Sequence, residues 1–140
     1  MILTYFQNDV VTITYDDELR LGRAEWNGFI SGQQFRDVVQ KCIDLMNEYE
    51  PLRWLGDNRK LRALRQADQD WFVANVIPKI VASSLRRNAT VVSEDLFNKM
   101  AVEQIVKRAD NLGDMVVKDF EDVETAMAWL AEPIVVQEQA

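Results

Sequence analysis

The stretch that decides the fold of this chain reads, from residue 54 to residue 61, Trp54-Leu55-Gly56-Asp57-Asn58-Arg59-Lys60-Leu61. Residues 53–56 form a short and largely apolar segment, which is typical of a strand covered on both faces. We interpret the Asp-Asn pair and the basic residues after it as a loop that follows this strand. In a mainly parallel sheet, ligands and partners are usually met beyond the carboxyl ends of the strands. The stretch therefore indicates a buried strand and the position of a candidate site.

Before this stretch, the hydrophobic pattern predicts strands and one long helix. Apolar and polar residues alternate over residues 10–15, and residues 19–26 follow a polar turn, so these two segments predict a hairpin. Residues 2–6 are predicted to add a further short strand before the hairpin. Ser31 begins the helix, with Gln34 three residues later to complete a capping box. The first part of the chain is therefore predicted to place its strands ahead of its first helix.

After the stretch, a helix and a strand follow. Asp68 is the predicted N-cap of the helix, whose apolar face contains Pro78. Because proline lacks a backbone N–H, we expect a kink near residues 74–78. Residues 89–92 are short, apolar and flanked by polar residues, which predicts a buried strand.

The same alternation continues to residue 130. A helix is predicted from Ser93 or Asp95 to Leu112, then a strand over residues 115–117, and then a helix capped by Asp122. The order of elements is β-β-α-β-α-β-α-β-α. We therefore predict an α/β fold with a mixed, mainly parallel sheet and helices packed against it.

Composition and charge narrow the class of protein. The chain has 140 residues, of which 48% are hydrophobic and 28% charged, as in ordinary soluble domains. We expect one domain over residues 1–131 and a C-terminal tail over residues 132–140. There is no apolar run long enough to cross a bilayer and no signal-peptide pattern, so we expect a cytoplasmic protein without integral membrane association. The net charge of −7 argues against nucleic acid as a partner.

The residue types that are missing exclude most catalytic chemistry. The chain has no histidine, which excludes Ser-His and Cys-His pairs and imidazole metal ligands within one chain. Cys42 occupies an apolar position of the first helix and is interpreted as a core residue. Asp57, Asp68 and Asp70 could offer oxygen ligands to Mg²⁺, but Asp68 and Asp70 are two residues apart and do not share a helix face. We therefore expect no enzyme activity, no cofactor and no resident metal.

Several motifs together carry a resemblance that covers most of the chain. They are Glu25-Trp26-Asn27-Gly28-Phe29, Asp57-Asn58-Arg59-Lys60-Leu61, Asp68-Gln69-Asp70-Trp71, Phe120-Glu121-Asp122-Val123-Glu124 and Ala128-Trp129-Leu130. From about Val10 to Leu130 the chain resembles the SpoIIAA-like branch of the STAS superfamily, and more specifically small bacterial proteins described as STAS/SEC14-like. The resemblance implies the fold and a regulatory role in protein interaction. None of the motifs is a catalytic signature, so the resemblance speaks for fold more than for function.

The best-known switch of that superfamily does not carry over to this chain. Its anti-sigma-factor antagonists are controlled by phosphorylation of a Ser or Thr after the third strand, where the added negative charge changes partner binding. Residues 56–82 contain no Ser or Thr, and the first hydroxyls after them are Ser83 and Ser84. The resemblance therefore implies an interaction module without this phosphorylatable switch.

In this chain, the segment where the superfamily carries its phosphorylated residue is basic. Residues 53–65 carry five cations and one acid, a local net charge of +4. The candidate site in this segment consists of Asp57, Asn58, Arg59, Lys60 and Arg62. One interpretation is a loop that binds an anion or an acidic partner beside a helix N-terminus. The other is a solvated loop in which Asp57 pairs with one arginine to fix a turn.

Three classes of function remain open from the sequence. The first is a non-enzymatic interaction module whose partner is another protein, a second copy of the chain as a homodimer, or both. The second is a small-ligand or lipid-binding protein with a cavity between sheet and helices, which a fully packed core would exclude. The third is an enzyme that uses carboxylate and arginine groups alone.

Overall fold

A computed structural model describes residues 1–62, 64–92 and 115–134. Over these ranges the chain forms one sheet of six strands, arranged in sequence order, with helices packed on it. The strands are β1 (Ile2–Gln7), β2 (Val11–Asp16), β3 (Leu21–Gly28), β4 (Arg53–Leu61), β5 (Arg87–Val91) and β6 (Val116–Phe120). The helices are α1 (Gly32–Tyr49), α2 (Gln66–Asn75), α3 (Ile77–Val81) and α4 (Val123–Leu130).

The pairing of neighbouring strands changes from antiparallel to parallel at β3. The strands β1, β2 and β3 pair antiparallel, whereas β3, β4, β5 and β6 pair parallel. Antiparallel neighbours need only tight turns, but parallel neighbours need crossovers, which α1 supplies between β3 and β4. The predicted α/β fold with a mixed sheet is confirmed, and the segment at residues 2–6 is a strand as expected.

Side chains of β4 point alternately to two cores. Trp54 packs on the face covered by α1, α2 and α3, which we call the α1 face. Leu55 packs on the opposite face, the α4 face, against Ala126 and Leu130 of α4. This alternation follows from the two-residue period of a strand. The same alternation decides on which face of the sheet each candidate site residue lies.

The helix α1 begins differently from the prediction. Ser31 occupies the N-cap position, but its side chain makes no capping hydrogen bond, so the predicted capping box with Gln34 is wrong. Instead, the backbone N–H of Gly32 donates to both carboxylate oxygens of Asp68, at 3.1 Å each. Asp68 was also expected to cap its own helix, but the N-cap of α2 is Arg65. Asp68 therefore caps the helix before its own.

The other helix signals agree more closely with the structure. The helical segment interrupted by Pro78 is broken into α2 and α3, with Val76 between them and the proline in the first turn of α3. At α4, the carboxylate of Asp122 accepts from the backbone N–H of Thr125 at 2.7 Å, as expected of its N-cap. The predicted helix from Ser93 or Asp95 to Leu112 and most of the predicted tail lie outside the described residues.

Candidate functional site at the carboxyl end of β4

The predicted loop is a continuation of β4. The strand runs from Arg53 to Leu61 and so includes Asp57, Asn58, Arg59 and Lys60. Its extension is paired with β3, where Glu25 lies opposite Asp57 and Gly28 opposite Leu61, with an irregular register in between. The prediction of a loop from residue 57 onward is therefore wrong, because polar residues here lie in a strand with β3 beside them.

Asp57 lies at the centre of an ion-pair cluster on the α4 face. Its side chain is buried, with 2% of the residue exposed. Arg59 donates from Nε to Oδ1 at 2.9 Å and from Nη2 to Oδ2 at 2.8 Å. The backbone N–H of Arg59 also donates to Oδ1, at 3.3 Å, and Arg23 Nη2 lies 3.5 Å from Oδ2. The pair between Asp57 and an arginine that the sequence suggested is present, and a backbone N–H adds to it.

These contacts keep the Asp57 carboxylate ionised. Burial alone would raise its pKa, but the hydrogen bonds from Arg59 and the charges of Arg59 and Arg23 outweigh burial and lower the pKa. A carboxylate with a lowered pKa that is bound by two guanidinium groups is a poor general base at neutral pH. Asp57 and Arg59 therefore stabilise the strand rather than present a reactive group.

Arg53 belongs to the basic segment in sequence but not in space. It lies at the other end of β4, where its Nε donates to the carbonyl of Leu130 and its Nη1 to the carbonyl of Leu19. The neighbouring Arg87 donates to the carbonyls of Trp129 and Glu132. Two arginines thus satisfy carbonyls at and beyond the C-terminal end of α4, which have no partner within the helix.

The remaining cations of the segment are exposed and lie at the same edge of the sheet as Phe29. We call these four residues the basic–aromatic patch: Phe29, Lys60, Arg62 and Arg65. Lys60 lies opposite Asn27 in the sheet, and the backbone N–H of Arg62 donates to the carbonyl of Gly28 at 3.0 Å. The guanidinium carbon of Arg65 lies 5.4 Å from the centre of the Phe29 ring. Phe29 is 48% exposed, which is unusual for a phenylalanine.

The patch contains two residues that the sequence analysis did not place in the site, Phe29 and Arg65. Phe29 directly follows β3, the parallel neighbour of β4. Because the carboxyl ends of parallel strands meet at one edge of a sheet, the residue after β3 could have been placed beside Lys60 and Arg62. The signal was present in the predicted order of elements, in which one helix joins these two strands.

The three carboxylates considered for Mg²⁺ are engaged separately. Asp57 binds arginines, Asp68 caps α1, and Asp70 accepts from Gln66 Nε2 at 3.0 Å. Among the residues that the structure describes, no group of three histidine, cysteine or acidic side chains could hold a metal ion.

The thiol of Cys42 is buried, and the hydroxyls of Ser83 and Ser84 are hydrogen-bonded. Burial raises the pKa of the Cys42 thiol to about 12, so it is protonated at neutral pH. The hydroxyls of Ser83 and Ser84 donate to the carbonyls of Ile80 and Pro51, both at 2.6 Å. Cys42 is therefore a core residue, as predicted.

Asn58 lies in an environment different from those of the other four predicted site residues. It lies on the α1 face and lines a cavity between the sheet and the helices. The five residues thus separate into a paired cluster with Asp57 and Arg59, a cavity wall with Asn58, and an exposed patch with Lys60 and Arg62.

A family model described as SpoIIAA-like matches residues 21–131. The chain belongs to the SpoIIAA-like family. SpoIIAA-like proteins are typically regulatory protein-interaction modules and generally not enzymes. Neither the curated proteins nor the solved structures contain a match to this SpoIIAA-like chain. In its described part, no helix is long and apolar enough to cross a membrane.

Proposed function

We propose that this protein is a non-enzymatic regulatory module that binds an acidic segment of a partner protein through the basic–aromatic patch. The observation that carries the proposal is the patch itself. It brings three exposed cations and an exposed phenylalanine to one edge of the sheet, in a protein whose net charge is −7. Arginine and aromatic side chains are the residue types that dominate binding energy at protein interfaces.

The charge distribution supports an acidic partner. Most of the surface of a protein with this net charge repels acidic molecules, so approach is favoured only where positive charge is concentrated. Lys60, Arg62 and Arg65 supply that concentration, and the two acids nearest in sequence, Asp57 and Asp68, are both buried. A partner carrying Asp or Glu beside an apolar side chain would match both the cations and the Phe29 ring.

The state of the potential catalytic groups supports a non-enzymatic role. Asp57 is neutralised by two arginines, and Cys42 is buried and protonated. A hydroxyl switch between residues 56 and 82 is excluded by the sequence, so regulation by phosphorylation at that position is not part of the proposal.

Affinity capture from the source cell with matched charge variants tests the proposal. Lys60→Glu/Arg62→Glu reverses two charges of the patch, whereas Lys41→Glu/Lys79→Glu reverses two exposed charges on helices α1 and α3. We expect one or more proteins to be retained by the wild type and the control, lost with the patch variant, and released as the salt concentration rises. Identical retention by all three proteins would contradict the proposal, provided that thermal unfolding shows both variants to be folded.

We also propose that the protein self-associates as a homodimer through β1. Over the described residues β1 is an edge of the sheet, and its sequence Ile-Leu-Thr-Tyr-Phe-Gln carries no charge. Ile2 and Leu3 are 68% and 40% exposed. Edge strands of natural proteins usually carry charged residues that prevent pairing with another chain, and β1 has none. The β1 strands of two copies can therefore pair with each other about a two-fold axis.

A further inference from the structure

An apolar cavity that is partly open lies between the sheet and the helices on the α1 face. Its volume is about 170 Å³. The walls include aromatic and aliphatic side chains from β4, α1, α2 and α3, among them Trp54, Phe35, Met46 and Ile80. The core is therefore not fully packed at this place. A fully packed core would have excluded a ligand-binding protein, so this class of function stays open.

One wall of the cavity is polar. Asn58 of β4 and Asn88 and Thr90 of β5 all line it. The register of the two parallel strands brings these side chains together, because Gly56 lies opposite Thr90 and Trp54 opposite Asn88. All three residues are half-buried, and within the described part of the chain their side chains make no hydrogen bond to protein. Their polar groups can therefore bond to a molecule in the cavity.

Gly56 leaves the floor of the cavity open between these residues. A Cβ atom added there would lie 3.9 Å from both the Ala89 carbonyl oxygen and Asn58 Oδ1, an ordinary contact distance. The backbone of Gly56 does not have the positive φ that favours glycine. Neither close packing nor backbone conformation therefore requires glycine at this position, and its consequence is empty space above the strand.

We propose that this cavity binds a small aromatic molecule with one hydrogen-bonding group, of the class of a phenol or an indole. The ring would contact Trp54, Phe35 and Met46, and its polar group would bond to the hydroxyl of Thr90, with the amides of Asn58 and Asn88 beside it. The volume decides the class, because an engineered cavity of about 150 Å³ in another protein binds benzene. The acyl chain of a lipid is larger than this cavity. The proposal does not depend on the basic–aromatic patch.

Titration calorimetry of the full chain with three probes tests the ligand class. We expect 4-methylphenol to bind saturably and to raise the unfolding temperature. Toluene has the same ring without the hydroxyl, and we expect it to bind roughly fivefold more weakly, as the loss of one hydrogen bond implies. Dodecanoate should not bind. Absence of saturable binding by 4-methylphenol, or tighter binding of dodecanoate, would overturn the proposal.

Variants locate the binding in the cavity. Gly56→Leu places a side chain in the cavity and should abolish binding of both aromatic probes, whereas Gly56→Ala should retain 4-methylphenol binding. Thr90→Val replaces a hydroxyl by a methyl group and should bring the affinity for 4-methylphenol close to that for toluene. If Gly56→Leu does not fold, Gly56→Ala and Thr90→Val decide the question. Unchanged 4-methylphenol binding in either folded Gly56→Leu or Thr90→Val would contradict the assignment.

Discussion

Asp57 shows how one buried carboxylate links the stability of this protein to pH. Its pKa in the folded protein is below the ordinary value of 3.8, because Arg59 and Arg23 outweigh the effect of burial. A group with a lowered pKa stabilises the folded state fully above the pKa of the unfolded chain. That contribution is lost as the pH falls through the lower pKa of the folded state.

We therefore expect Asp57→Asn to reduce the free energy of unfolding by about 1–2 kcal/mol at pH 7, since both arginines are partly exposed and screened by water. The difference from the wild type should begin to shrink as the pH falls below about 4, where Asp57 of the unfolded chain is protonated, and should be lost only at lower pH, where the folded protein is protonated as well. Urea unfolding at a series of pH values measures both effects. Asp9→Asn, at an exposed position, is the control and should change neither value. A constant difference across this pH range would show that the charge of Asp57 is not the cause.

Two glycines on the α1 face make opposite predictions. A Cβ atom at Gly22 would overlap the ring of Trp54, which packs directly on this glycine. Gly22→Ala should therefore cost about 1–3 kcal/mol of unfolding free energy, because the tryptophan would have to move. Gly56→Ala meets no close atom and should be neutral or stabilising by about 0.5 kcal/mol. Urea unfolding of the two variants side by side checks this, and equal stabilities would contradict the close contact with Trp54.

Among the secondary-structure elements, α1 depends on a residue of α2. The Asp68 carboxylate accepts the backbone N–H of Gly32 at the start of α1, whereas the side chain of Ser31 does not cap it. We expect Asp68→Ala to reduce the free energy of unfolding by about 1–2 kcal/mol, the usual effect of removing a helix cap. Ser31→Ala should cost much less. A larger loss for Ser31→Ala in chemical unfolding would show that the capping predicted from the sequence is the correct one.

Elements governed by local signals were predicted well from the sequence. The strand alternation in β2 and the cap of α4 at Asp122 depend on neighbours within a few residues, which the sequence displays directly. The break at Pro78 has the same origin, since the missing N–H belongs to the residue itself. Agreement here reflects short-range physics.

The errors occurred where a distant residue decides the local structure. β4 continues to Leu61 because β3 extends to Gly28 and pairs with it, and the polar composition of residues 57–60 does not reveal that partner. The start of α1 is decided by Asp68, 36 residues away from Gly32 in sequence. A sequence read alone favours the nearest cap and the nearest turn.

The same distinction explains the outcome for the candidate site. Its position at the end of a parallel strand could be predicted, but a loop interpretation gives no rule for the direction of side chains. Once the segment is a strand, alternation sends Asp57 and Asn58 to opposite faces. The basic residues predicted as one group therefore divide between a structural cluster and an exposed patch.

At the scale of the whole molecule, the two edges of the described sheet differ in charge. The edge strand β6 carries Lys118 and Asp119, whereas β1 carries no charged side chain. In a protein of net charge −7, two copies approach with least repulsion where the surface is neutral. The neutral β1 edge is therefore favoured for pairing between copies, and its exposed Ile2 and Leu3 would be covered in the process.

Replacing the two exposed apolar residues of β1 with lysines tests this pairing. We expect the wild type to sediment at twice the chain mass of 16.2 kDa, and Ile2→Lys/Leu3→Lys to sediment as a monomer, because like charges would face each other across the two-fold axis. Val116→Lys changes a half-exposed residue on the opposite edge strand and should leave the dimer intact. Sedimentation equilibrium over a range of concentrations measures all three. A wild type that stays monomeric, or a β1 variant that dimerises as strongly as the wild type, would refute assembly through this edge. Loss of the dimer in Val116→Lys alone would place the interface at β6 instead.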